Sequence, residues 1–153
     1  MKSGFTIIEL MATIVIISIG VLGTYSVVQQ MIRVTSSASQ RLTAAYLAQE
    51  GIELIRNVRD TNWIRDLDWN AGLATGDWEV DYNDFSLSAY ANRNLKINNN
   101  LYNYDSGTNT IYKRKITLSN NGADSLKILS EISWTYGGIS QSLSAEENIY
   151  DWK

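Results

Sequence analysis

The sequence predicts an α+β fold: one long N-terminal helix, membrane-spanning in its first half, laid on a C-terminal antiparallel sheet of three or four strands. Three observations lead there. Leu10 to Ile32 carries no charged residue. Residues 44–58 then keep a broad apolar arc at helical spacing. Leu126, Ile128, Ser130, Ile132, Trp134 and Tyr136 alternate at strand spacing, all apolar except Ser130.

The first segment decides most. A bilayer core needs about 20 predominantly apolar residues in a helix, and the densest stretch, Leu10 to Val28, is of that length. It is rich in Ile and Val. In lipid the backbone must satisfy its own hydrogen bonds, so a lone span is helical whatever its β propensity. Gly20 and Gly23 are weak points, each costing about 1 kcal/mol relative to Ala in water. Lys2 is the only positive side chain near the start, which puts the N-terminus inside and the C-terminal domain outside.

Glu9 is the anomaly. A carboxylate at the centre of a span costs roughly 2.5–3.5 kcal/mol, less near its end. A plain anchor gains nothing from it. A partner of opposite charge at similar depth in another subunit would explain it.

From Arg33 the helix is expected to continue to about Asp60–Asn62, where weak helix formers cluster. Ala44, Ala45, Leu47, Ala48, Gly51, Ile52, Leu54, Ile55 and Val58 share one half of the wheel. That arc is wider than the stripe of about 100° a surface helix needs. Either it is a generous core face, or one edge covers the sheet while the other meets neighbouring helices. Leu42 and Tyr46 fall outside the arc, and Arg59 falls inside it.

The remainder reads as strands and turns. Trp78–Tyr82 is a short strand. Asn98–Tyr104 leads into the turn cluster Asp105-Ser106-Gly107-Thr108-Asn109, then Ile111–Leu118. Asn120-Asn121-Gly122 is a second turn signal, and Gly137-Gly138 a two-residue hairpin turn returning along Ile139–Leu143. The apolar face of this sheet needs a cover, and the second half of the long helix is available. The expected divisions are residues 1–4, 5–32, 33–62 and 63–153.

Composition removes several functions. The chain has no His, no Cys and no Pro, and its net charge is -3. Without His and Cys, Ser-His-Asp chemistry and most hydrolytic zinc sites are excluded, and no enzyme is expected. The mild charge gives no footprint for nucleic acid. Asp66, Asp68, Asp77, Glu79, Asp81 and Asp84 crowd the region after the helix, with Asn70 and Asn83 nearby. Such oxygen ligands suit Ca²⁺, with Asp66, Asp68, Asp77 and Asp81 as candidates. No run has EF-hand spacing, and Asp77, Glu79 and Asp81 could equally be the wet face of a strand. No other cofactor is indicated.

Gly4-Phe5-Thr6-Ile7-Ile8-Glu9-Leu10 resembles the leader junction of type IV prepilins and pseudopilins. The resemblance implies cleavage between Gly4 and Phe5 by a membrane prepilin peptidase, and methylation of the new amine on Phe5. It implies the pilin fold, and assembly through Glu9 of one subunit and Phe5 of the next. Ala44-Ala45-Tyr46-Leu47-Ala48-Gln49-Glu50-Gly51-Ile52-Glu53-Leu54-Ile55-Arg56-Asn57-Val58-Arg59-Asp60-Thr61-Asn62-Trp63 is similar to the helix end of minor pilins of the pilus modification (PilV-like) group. The implied partners are other pilin subunits through their N-terminal helices, the prepilin peptidase, the inner-membrane assembly platform and the lipid bilayer. The implied place is the cytoplasmic membrane, then a pilus or pseudopilus. A major pilin and a secretion or competence pseudopilin are the alternatives within the class. A membrane-tethered extracellular binding domain with an ordinary signal anchor is the alternative outside it. Ser18-Ile19-Gly20 could serve a standard signal peptidase, yet the apolar run continues past it.

Overall fold

The computed structural model describes residues 4, 6–82, 86–122 and 124–151. Lys2, Phe5, Asn83, Asp84 and Trp152 lie outside the described residues. The chain divides into two compact units, residues 1–40 and 41–153. The helix α1, Ile7–Ile64, contributes to both.

In the first unit, α1 is the one helix among the described residues long and apolar enough to cross a membrane; its best window has a mean hydropathy of 2.2. The hydroxyls of Thr13, Ser18 and Thr24 donate to carbonyls of their own helix, at Glu9 and Leu10, at Ile14, and at Gly20 and Val21. These three hydroxyls are therefore satisfied within the helix and offer no unpaired donor to lipid.

In the second unit, α1 packs on antiparallel sheets, as the alternation in the sequence requires. Seven of the nine residues of its apolar arc are buried: Ala44, Leu47, Ala48, Gly51, Ile52, Ile55 and Val58. Ala45 and Leu54 are half-buried at the flanks, and Leu42 and Tyr46 are exposed. The helix ends two residues later than the expected stop at Asn62. Leu67 N–H donates to the Asn62 carbonyl at 2.9 Å and Asp66 N–H to that of Trp63 at 3.2 Å. Asp66 adopts φ 55°. Those are the two bonds and the left-handed residue of a Schellman end. Thr61 and Asn62 stay helical because the Asn62 side chain reaches forward to the carbonyls of Trp69 and Ala71, at 3.2 and 2.8 Å.

The strands are β1 (Gly76–Glu79), β2 (Ser88–Ala89), β3 (Lys96–Asn98), β4 (Leu101–Asn103), β5 (Thr108–Asn109), β6 (Lys113–Asn120), β7 (Ser125–Tyr136) and β8 (Ile139–Tyr150). They make a five-stranded sheet, ordered β2-β1-β6-β7-β8, and a three-stranded sheet, ordered β4-β3-β5. The expected count of three or four strands is thus too small. The central β6–β7–β8 ladder is as the alternation predicts, with β8 running on to Tyr150 rather than stopping at Leu143. Gly137 and Gly138, at φ 59° and 80°, make the tight turn between β7 and β8. Asn99 and Asn100, at φ 49° and 63°, make the same kind of turn between β3 and β4.

Two apolar clusters fill the space under the helix. Ile52, Ile55 and Val58 meet Val80, Ile116, Leu118, Ile128 and Ile149. Ala44, Leu47 and Ala48 meet Leu95, Tyr104, Tyr112, Ile132 and Trp134. Between them runs a polar seam of Gly51, Ser130 and Arg114. A Cβ on Gly51 would collide with the Ser130 hydroxyl and stand 3.2 Å from Cδ of Arg114. Ser130 interrupts the apolar face of β7 because a small side chain is needed there. Arg114 is fully buried on the inner face of β6. Its Nη2 donates to the Val80 carbonyl at 2.9 Å, and its Nη1 stands 3.5 Å from Glu50 Oε1.

Candidate functional site: the start of the apolar helix

Glu9, the acid singled out in the sequence, sits in the first turn of α1. Thr6 is the N-cap and Ile7 the first helical residue. The Thr6 carbonyl accepts the N–H of Leu10 at 3.2 Å, the first bond of the helix. Glu9 N–H donates to Oγ1 of Thr6 at 3.3 Å. In return, Thr6 N–H and the Thr6 hydroxyl both donate to Oε2 of Glu9, at 3.1 and 3.0 Å. This is a reciprocal capping box, in which the N-cap side chain and the third helical residue satisfy each other's orphan donors. An acid in the first turn also faces the positive end of the helix dipole.

The expectation that a plain anchor gains nothing from Glu9 is therefore incomplete, because the carboxylate caps the helix. The pattern Thr6-Ile7-Ile8-Glu9 has capping-box spacing, so the signal was present in the sequence. What hides it is the apolar context, which directs attention to the charge alone.

Gly4 lies two residues before the N-cap, outside the helix. A Cβ placed on it meets nothing within 4 Å. The fold of the chain does not require glycine there. Phe5, the other half of the expected cleavage site, falls outside the described residues.

The described members of the acidic group after the helix fall in different places. Asp66 and Asp68 line an open cleft with Trp63, Trp69 and Asp151. Arg59 lies over the ring of Trp63, 4.6 Å from its centroid. Asp77 is exposed and its Oδ1 accepts the Thr117 hydroxyl at 2.6 Å. Glu79 and Asp81 are not on a wet strand face; they are 1% and 2% exposed. β1 pairs with β6 only from Gly76 to Trp78, and beyond that the chain turns its acids inward. Glu79 Oε1 takes the N–H groups of Ala91 and Arg93 at 3.0 and 3.2 Å, and Oε2 pairs with the Arg93 guanidinium at 2.7 Å. Asp81 accepts the N–H groups of Tyr82 and Tyr104 at 2.7 and 3.1 Å. Among the described residues, no three carboxylates come together as a metal site. Glu79 ties residues 91–93 to β1, and Asp81, two residues past β1, ties in the backbone at Tyr104.

Residues 1–25 match a family model described as the prokaryotic N-terminal methylation motif. Neither the curated proteins nor the solved structures give a match to the chain. The matched motif is a type IV pilin-like prepilin signal, and with the long apolar helix α1 it supports membrane anchoring of a C-terminal domain.

Proposed function

We propose that the chain is a minor pilin or pseudopilin. The leader is cut between Gly4 and Phe5, Phe5 is methylated, and the mature subunit enters or primes a type IV pilus-like filament. The observation that carries this is the methylation motif over residues 1–25 joined to a helix whose first turn holds Glu9.

The chain waits in the cytoplasmic membrane with Lys2 inside and its β-rich domain outside. Prepilin peptidase supplies a cation by freeing the amine of Phe5. As apolar helices pack, Glu9 of one copy meets that amine on the next. A buried pair contributes little net stability, but breaking it leaves one charge uncompensated, so it selects register more than it adds strength. The minor, PilV-like role is favoured by the stretch Ala44 to Trp63. In this chain those residues also dock the helix: Gly51 lies over Ser130, Glu50 faces Arg114, and Arg56 pairs with Glu147 and Glu53.

N-terminal sequencing of subunits from sheared filaments should find methylated Phe5 first. Gly4→Ala or a bulkier replacement should leave the full-length precursor in the membrane. Because the fold leaves space at Gly4, that block would be the peptidase's and not a folding defect. Glu9→Gln should be cleaved but fall out of filaments at least about tenfold, as expected for losing one charge of a desolvated pair. A mature chain beginning near residue 20, or retention of Met1, would refute the assignment. Abundance well below that of another subunit in the same filaments separates a minor from a major role.

A further inference from the structure

We propose that Thr6 is a positioning residue for assembly, holding Glu9 by one oxygen in the lone subunit and leaving the other oxygen for the incoming amine. This rests on the function proposed above and concerns how the same site is set.

Both donors of Thr6 go to Oε2 of Glu9, and among the described residues none reaches Oε1. A bare carboxylate beside lipid is the costly state. The capping box relieves it before any neighbour arrives, because the Thr6 hydroxyl and N–H belong to the same chain. Nothing in the box depends on whether the leader is attached. The same side chain is thereby held in place: Oε2 is tied back to the N-cap, and Oε1 is the oxygen that takes no donor from the described residues. An amine on a neighbour then adds a charge-assisted bond at Oε1 without displacing Thr6. The device separates two tasks. Capping needs only an acceptor on residue 6 for the Glu9 N–H. Positioning needs a hydroxyl proton to give to the carboxylate.

Replacements at residue 6 divide those tasks in the full chain, expressed in cells. Thr6→Ser keeps both. Thr6→Val keeps the shape and loses the hydroxyl. Thr6→Asp is a strong N-cap, but it has no proton to give and sets a second negative charge beside Glu9. Leader cleavage, methylation of Phe5 and the fraction of mature subunit in sheared filaments are the readouts. All three variants should be cleaved. Thr6→Ser should assemble like the unaltered chain. Thr6→Val and Thr6→Asp should lose filament incorporation by about tenfold, the scale of one hydrogen bond to a charged group.

Normal incorporation of Thr6→Asp would mean that capping alone suffices, and the proposal falls. It falls equally if Thr6→Val assembles normally, if Thr6→Ser fails, or if Thr6→Val and Thr6→Asp keep their leaders, which would move the role to processing. Failure of the underlying function reads out differently, as a wrong N-terminus on the unaltered chain or normal assembly of Glu9→Gln.

Discussion

At Gly51 the helix backbone comes so near β7 and β6 that a single added carbon must displace Ser130 or Arg114. Overpacking of this kind costs about 1–3 kcal/mol. Alanine returns up to about 1 kcal/mol of helix propensity. Gly51→Ala should therefore lower stability by up to about 2 kcal/mol in denaturant unfolding, and Ser130→Gly in the same chain should recover most of it. If Gly51→Ala alone is stabilising, the contact is looser than the geometry indicates. Arg114 shows why some residues of this seam escape a sequence reading. Alternation along Tyr112, Arg114, Ile116 and Leu118 points it inward, but a cation in that position contradicts the usual rule for buried residues. Its partner Glu50 is remote in sequence, and nothing local announces the pairing. Glu79 and Asp81 mislead for the opposite reason: their alternation is that of a strand, yet their partners are backbone N–H groups supplied by distant loops.

Among elements, the long ones follow from pattern and the short ones do not. The β7–β8 hairpin is written in twelve alternating residues and a Gly-Gly turn. β2 and β5 have two residues each, too few for any period to register. The end of α1 is a matter of cap chemistry. Asp66 stands in the left-handed position that glycine normally fills, which costs an L residue roughly 1–2 kcal/mol. Its carboxylate also faces the negative end of the helix dipole. Asp66→Gly should raise thermal stability by about 1 kcal/mol, followed by circular dichroism, and leave leader cleavage unchanged. A drop in stability would show that a contact of the Asp66 side chain outweighs both penalties.

For the molecule as a whole, the sequence conveys the helix, the anchor and the main ladder, but not how the small sheet joins the large one. That junction is Tyr104. It is 5% exposed, its N–H donates to Asp81, its hydroxyl donates to the Arg114 carbonyl at 3.1 Å, and the Arg93 guanidinium lies 4.9 Å from its ring centroid. Burial pushes its hydroxyl up to about 12, from an ordinary value near 10. The neutral phenol is the form the fold favours. Its contribution is complete below about pH 10 and drains away as pH rises towards about 12. Denaturant midpoints should fall across that window, in step with tyrosinate absorbance, and Tyr104→Phe should flatten the fall. An unchanged slope in Tyr104→Phe would assign the alkaline loss to other groups.

The back-bonded hydroxyls of Thr13, Ser18 and Thr24 have one more effect. With each spent on a carbonyl of its own turn, residues 10–24 present a sideways neighbour with hydrocarbon contours alone. Such a surface can grip by fit, yet one turn of hydrocarbon resembles the next, so sliding by a turn is penalised only weakly. On the function proposed above, two such rods would take their lengthwise offset from a landmark at the tip, much as a smooth shaft is seated by a single key.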